Sequence, residues 1–253
     1  MLGSFWLYPF LFCIGAMAGL VDSIAGGGGL ITLPVALAVG MPPKIALGTN
    51  KFQASFGSFT ATYHYVKHGI VNLRGARLGI FFTLVGAAAG AWSVQQVDSD
   101  ILNHIIPFFL IVIIVYTFLT PKFGDADKRP RVPISLFFIV AGLVLGFYDG
   151  FFGPGVGSFW AMALVFWRGM DLTKATGATK LMNFTSNIIS CIIFLAGGFV
   201  WFGAGLAMAA GEIIGAKIGS QMVIKKGTAL IRPIYITIVV ATTLKLLYNA
   251  YSR

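Results

Sequence analysis

The sequence predicts an all-α, polytopic membrane protein made of two homologous four-segment repeats, inverted relative to one another, with glycine-broken re-entrant or discontinuous helices. Three observations carry that expectation. The 253 residues are 57% hydrophobic and 10% charged, with a mean hydropathy of +0.87, against roughly 25% charged residues in soluble domains. Apolar runs recur along the whole length, several approaching the ~20 residues that cross a bilayer. A glycine-rich break preceded by an aspartate occurs twice, and the sequence around the two breaks aligns.

The elements follow in order. An apolar run at 5–22 leads into DSIAGGGGL (Asp22–Leu30), then runs at 30–41, 78–94 and 101–120 complete the first half. The stretch GAMAGL resembles a signal-peptidase site, but no Lys or Arg precedes it and similar sequence returns in mid-chain, so the first segment is expected to stay. A polar linker, PKFGDADKRPR and the two residues after it, separates the halves. Runs at 134–148, 156–167, 188–196, 199–216 and 233–248 form the second half. Cys13 and Cys191 lie in apolar runs without a CxxC pair and read as small packing residues.

The duplication rests on spacing. GLVDSIAGGGGL (19–30) aligns with GFYDGFFGPGVG (146–157), placing Asp149 at an offset of 127 from Asp22. Beyond two inserted residues the offset becomes 129: GMPPKIALGTNKFQ (40–53) lies over GMDLTKATGATKLM (169–182), so Lys180 answers Lys51. GAAAGA (86–91) lies over GAKIGS (215–220) at the same spacing. The expected domains are therefore an N-terminal transmembrane repeat, 1–120, the linker, 121–133, and a C-terminal transmembrane repeat, 134–253.

Orientation follows from charge, because cytoplasmic loops collect Lys and Arg. If each broken segment returns to its own side, twelve basic residues fall inside, among them Lys67, Arg74, Arg168, Lys174, Lys225 and Arg232, and three outside: Lys44, Lys245 and Arg253. If each crosses fully, the halves run parallel and the tally is nine against six. The inverted arrangement fits better. Inverted repeats with helices broken near mid-membrane are a transporter architecture, with the substrate between the repeats.

Irregular backbone at membrane depth is tolerated only where protein or a wet cavity satisfies it. Gly26, Gly27, Gly28 and Gly29 would leave N–H groups open at a helix start, an anion-binding end, and Gly153 and Gly155 around Pro154 offer the same device in the second half. The plainer alternative is close helix packing by small residues. The lysines shift the balance, because an ionisable residue in the membrane is costly and marks function unless it snorkels to an interface. Behind Lys180, Asn183, Asn187 and Ser190 recur on one helical face; behind Lys51 the face carries Ser55, Ser58 and Thr62, flanked by Asn50 and Gln53. Facing one another, the two stripes would form a basic, hydrogen-bonding chamber for a small anion.

The acids are expected to serve otherwise. Asp22 and Asp149 each precede a break by four residues and would accept freed N–H groups, pair with a lysine, or couple transport to protons. Glu212 is matched by Thr83 in the first half, and would pair with a neighbour such as Lys217 or titrate. His64, His68 and His104 have no metal-ligand spacing and read as interfacial.

Other classes find little support. The net charge of +10 comes from short inter-helix segments, as orientation signals do, so no nucleic-acid partner is expected. HExxH, GxSxG, Walker and Cys/His signatures are missing, which argues against an enzyme and against a cofactor or ATP as the energy source. An anion channel, or a carrier of another small solute with structural lysines, remains an alternative.

AGLVDSIAGGGGLITLP and ALGTNKFQA in the first half, with GFYDGFFGPGVGSF and KATGATKLMNFTSN in the second, resemble the TauE/SafE family of bacterial membrane transporters, its YfcA-like branch in particular. The resemblance spans nearly the whole chain. It implies a multi-pass protein of the bacterial inner membrane, with a duplicated four-segment unit, moving sulfite, sulfoacetate or another sulfur-containing anion. The family's paired motifs fall on Asp22, Gly26 to Gly29, Asn50, Lys51 and Gln53, and on Asp149, Gly153, Gly155, Lys180, Asn183 and Asn187. One departure stands out: GPGVG replaces the four-glycine run, so the two helix ends are expected to be unequal.

Overall fold

A computed structural model describes residues 6–102, 105–106, 108 and 129–226. Helices α1 (Leu7–Ala25), α2 (Gly28–Ala38), α3 (Pro43–Lys67) and α4 (Arg77–Gln96) come from the first half; α5 (Ile134–Phe151), α6 (Val156–Arg168), α7 (Leu172–Ala196) and α8 (Phe202–Lys226) come from the second. Local sequence sets many of the boundaries. Pro133 precedes α5, and Pro42 with Pro43 starts α3, where a missing N–H costs nothing. The Asp171 carboxylate caps α7 by accepting from the Lys174 N–H at 3.0 Å. Gly169, left-handed at φ 69°, ends α6.

Helices α1, α4, α5, α7 and α8 are long and apolar enough to cross a membrane. Helix α3 has the 25-residue length of α7 but is more polar, because it carries the stripe around Lys51. Helices α2 and α6, with 11 and 13 residues, extend about 16 and 20 Å at ~1.5 Å per residue, short of a ~30 Å hydrocarbon core. Large apolar side chains such as Met17, Phe81, Trp92, Val144, Ile192, Leu206 and Ile218 point outward, as a lipid-facing surface requires. Cys191 is buried as a packing residue, whereas Cys13 lies on the exposed face of α1.

The halves interlock by exchanging partners. Helix α1 packs most extensively on α8, and α4 on α5. Both seams are lined with glycine at every fourth position: Gly211, Gly215 and Gly219 on α8 meet the backbone of Phe12, Ala16 and Leu20, while Gly142, Gly146 and Gly150 on α5 meet that of α4 around Phe82, Thr83 and Ala87. A Cβ on Gly146 would lie 2.7 Å from the Thr83 carbonyl oxygen, so these positions set how closely the backbones approach.

Helices α3 and α7, equivalent in the two sequence halves, pack against each other. Gly48, early in α3, meets Phe194 late in α7, and Tyr65, late in α3, meets Gly177 early in α7, so the pair runs antiparallel. One apolar cluster includes Ala46 and Leu47 of α3 and the other Ala61 and Tyr65. The polar residues of α3 from Thr49 to Ser58 lie between them.

Candidate functional site

The glycine breaks meet at the centre of the molecule. Gly26 (φ 70°) and Gly27 (φ 145°) separate α1 from α2, and Gly153 (φ 99°) and Gly155 (φ 82°) separate α5 from α6. These angles suit glycine and strain any other residue. A Cβ on Gly157 would come within 2.8 Å of the Gly26 Cα, and one on Gly29 within 3.3 Å of the Pro154 Cα. The Ser158 hydroxyl donates to the Gly26 carbonyl at 3.1 Å. The breaks therefore brace each other across the two halves.

Two ion pairs, one buried and one partly buried, cross the same boundary. The Lys180 ammonium on α7 donates to Asp22 Oδ2 on α1 at 2.9 Å. The Lys51 ammonium on α3 pairs with Asp149 Oδ1 on α5 and donates to Asn187 Oδ1 at 3.3 Å. Both lysines are almost fully excluded from solvent, at 1% and 0% exposure for Lys51 and Lys180. An unpaired ammonium would be expensive there, and the carboxylate from the opposite half offsets that cost.

The carboxylates are satisfied differently. Asp22 Oδ1 accepts the N–H groups of Gly27 and Gly28 at 3.0 and 3.3 Å, so it caps the helix that follows its own and opposes that helix's positive end. Asp149 has no such arrangement, because Pro154 stands where the first half has Gly27 and proline carries no N–H. Its Oδ2 instead accepts the hydroxyl of Ser186, whose counterpart is Gly57. The inequality expected from GPGVG is present, and it arises at this carboxylate.

Around the pairs lies a polar network. Asn50 Oδ1 accepts from the Thr32 hydroxyl at 2.6 Å and the Gln53 amide at 3.0 Å, and the Asn187 amide reaches the Ser58 hydroxyl at 3.4 Å. Gln53 Oε1, Thr179 Oγ1, Asn183 Oδ1 and Ser190 Oγ are buried with no hydrogen-bond partner. The two stripes thus meet. Each lysine is paired with an acid, so the site expected to be basic carries a carboxylate for each ammonium, and two glycine N–H groups expected to face it are engaged by Asp22.

Glu212 departs from one expectation. It is 2% exposed, packed against Gly19 of α1 and Gly57 of α3, while Lys217 is exposed. Five residues along a helix is about 140° around it, which directs the two side chains to different faces and prevents pairing. His64 and His68 stack at the end of α3 with ring centroids 6.5 Å apart; His104 and Arg232 lie outside the described residues.

Two broken helices are thus joined by lysine–aspartate pairs running between residues 22–51 and 149–180. Residues 11–246 match the family model for the sulfite exporter TauE/SafE. The chain belongs to the TauE/SafE family. Similar TauE/SafE-type proteins include the "Probable membrane transporter protein YfcA" of Escherichia coli K12, 44% identical over 243 residues, covering 96% of this chain and 90% of that protein. A "Probable membrane transporter protein" of Haemophilus influenzae is 43% identical, covering 96% and 95%, and a Sinorhizobium protein named "Probable membrane transporter protein ORF9" is 42% identical, covering 96% and 94%. No solved structure matches. With five apolar helices long enough to cross, the chain is a multi-pass bacterial membrane transporter.

Several participants in this TauE/SafE chain escape a reading of its motifs. Ser186 and Thr179 each lie one position beside the predicted stripe of α7, and Thr32 sits in an apolar run. The signal for Ser186 is nevertheless in the repeat alignment, where it falls opposite Gly57.

Proposed function

We propose that this protein is a secondary transporter of a small anion, in the first place a sulfur-containing oxyanion or organosulfonate, working by alternating access between two inverted halves. The observation that carries the proposal is the pair of lysine–aspartate bridges, each with a buried lysine and each joining one half to the other beside a glycine break. A sulfite or sulfonate group presents oxygens that accept the bonds an aspartate accepts, so it competes with Asp22 or Asp149 for Lys180 or Lys51. Asn50, Gln53, Ser58, Asn183 and Asn187 are the neighbouring hydrogen-bonding groups, and the unpartnered hydroxyls of Thr179 and Ser190 leave donors for a ligand's oxygens. Displacing a carboxylate from its lysine loosens a contact between the halves, which ties binding to their relative movement.

The inverted reading is supported by the antiparallel course of α3 and α7 and by the charge tally. Gly26, Gly27, Gly28 and Gly29 with Gly153 and Gly155 would act as hinges and helix ends, and Asp22 and Asp149 as counter-ions that alternate with substrate. The nature of the anion rests on the family's name and on the chemistry of the lysines.

Thermal stability of the detergent-purified protein tests the proposal against sulfite, thiosulfate, sulfoacetate and taurine, with chloride as control. Binding at a hundred times the dissociation constant stabilises by about 2.7 kcal/mol. A sulfur anion should stabilise wild type, and neither Lys51→Ala nor Lys180→Ala should respond. Equal responses in the variants would assign the lysines to structure alone, and saturable counterflow in vesicles would separate a carrier from a channel.

A further inference from the structure

The two halves are not chemically equivalent around their ion pairs. Ser186 of α7 bonds Asp149 and Thr83 of α4 packs on Gly146, one turn before Asp149, whereas the aligned positions in the other half are Gly57 on α3 and Glu212 on α8. The two changes fit each other. A Cβ at Gly57 would lie 2.6 Å from Glu212 Cγ and 2.7 Å from its Cδ, and one at Gly19 would lie 2.8 Å from Cγ, so two glycines make the space that the carboxyl fills. Glu212 Oε2 is buried there without a hydrogen-bond partner.

The charges around Glu212 are few. Asp22 on α1 and Lys180 on α7 are close enough for their fields to act on it. Besides Asp22, α1 carries only Tyr8 and Cys13 as ionisable groups. Helix α3, the other helix packed on α8, carries Lys44, Lys51, Tyr63, His64, Tyr65 and Lys67, with Gly57 at the contact itself. Lys180, bonded to Asp22, thus has a second carboxyl within reach of its field, while Lys51 is paired with Asp149 alone. The second carboxyl balances only if it carries a proton, and its unpartnered oxygen can hold one without breaking an existing bond.

We propose that Glu212 is the site of the coupled proton, taken up with the anion and moved in the same direction. This rests on the transporter reading above. A proton from water on one side forms an O–H bond on Glu212; the charge of the second carboxyl disappears while Asp22 stays paired with Lys180, and an anion approaches that lysine without the repulsion of a second carboxylate. Release on the other side returns the proton to water and the anion with it. Because coupling is reciprocal, bound anion favours the protonated form to the same degree.

The test uses the full chain in proteoliposomes with the membrane potential clamped at zero, and radiolabelled sulfite, thiosulfate and sulfoacetate as probes. Wild type should accumulate its anion toward the alkaline side, to about tenfold per unit of pH gradient for one coupled proton. In Glu212→Gln, gradient-driven accumulation should fall to equilibration while counterflow exchange continues. The double variant Gly57→Ser/Glu212→Thr, which copies the other half, should behave alike and covers a misfolded single variant. Accumulation preserved in either variant, or counterflow lost in both, would overturn the proposal. Infrared titration decides independently of transport: a protonated-carboxyl band present in wild type and missing from both variants is expected, and its absence from wild type would refute the proton site. If no probe moves in wild type while the band is present, the anion assignment fails and the proton site stands.

Discussion

Removing the Lys51 ammonium should be markedly more damaging than removing that of Lys180. In Lys51→Met, Asp149 keeps only the Ser186 hydroxyl in surroundings where its side chain is 3% exposed. In Lys180→Met, Asp22 keeps two backbone N–H donors and is 19% exposed. Breaking a buried pair costs about 3–5 kcal/mol, and the full cost is expected for Lys51. Hydrogen bonds to a charged group contribute roughly 1.5–3 kcal/mol each, so the extra donor and partial solvation of Asp22 should lower the cost at Lys180 by at least ~1.5 kcal/mol. At roughly 2–4 °C per kcal/mol for a chain of this size, Lys51→Met should lose on the order of 10 °C of melting temperature and Lys180→Met clearly less. Melting in detergent at one fixed scan rate, without ligand, measures both. The double variant Lys51→Met/Asp149→Asn should recover most of the loss, because it removes both charges and keeps an acceptor for Ser186. Equal losses at the two lysines, or a double variant as unstable as Lys51→Met, would refute the argument that the carboxylates' remaining partners set the cost.

Ser186→Ala should cost about 1.5–3 kcal/mol by taking one donor from Asp149, visible as a lower melting temperature that Asp149→Asn largely suppresses. Gly153→Ala should destabilise by about 1–3 kcal/mol, since its φ is 99° and its Cβ would sit 2.7 Å from the Lys51 Nζ; a neutral melting curve would remove the steric claim. Along the α4–α5 seam, Gly146→Leu should abolish folded protein in size-exclusion profiles, while Met17→Leu on the outward face of α1 should leave them unchanged. Single cysteines at Asn72 and Lys225, in a background without Cys13 and Cys191, should be labelled from the same side of the membrane, and labelling from opposite sides would exclude inverted halves.

Composition and spacing determined a good deal by themselves. A chain so poor in charge must satisfy its backbone internally, as helices do, and the aspartate–glycine motifs at 22–29 and 149–157 mark where the helices break. Lys51 and Lys180 stood out for the same reason, since an ionisable group in apolar sequence needs an explanation. Tertiary structure alone decided the partners. Nothing local says that Lys51 meets Asp149 and Lys180 meets Asp22, because each bridge joins residues 98 and 158 positions apart and depends on the halves exchanging helices. The glycine seams show the same limit: glycine at every fourth position announces close packing, but which backbone fills the groove is a property of the assembled bundle. Glu212 is the sharpest case. Its difference from Thr83 is plain in the alignment, yet its meaning appears only when Gly57, far away in sequence, is seen to leave the space it occupies.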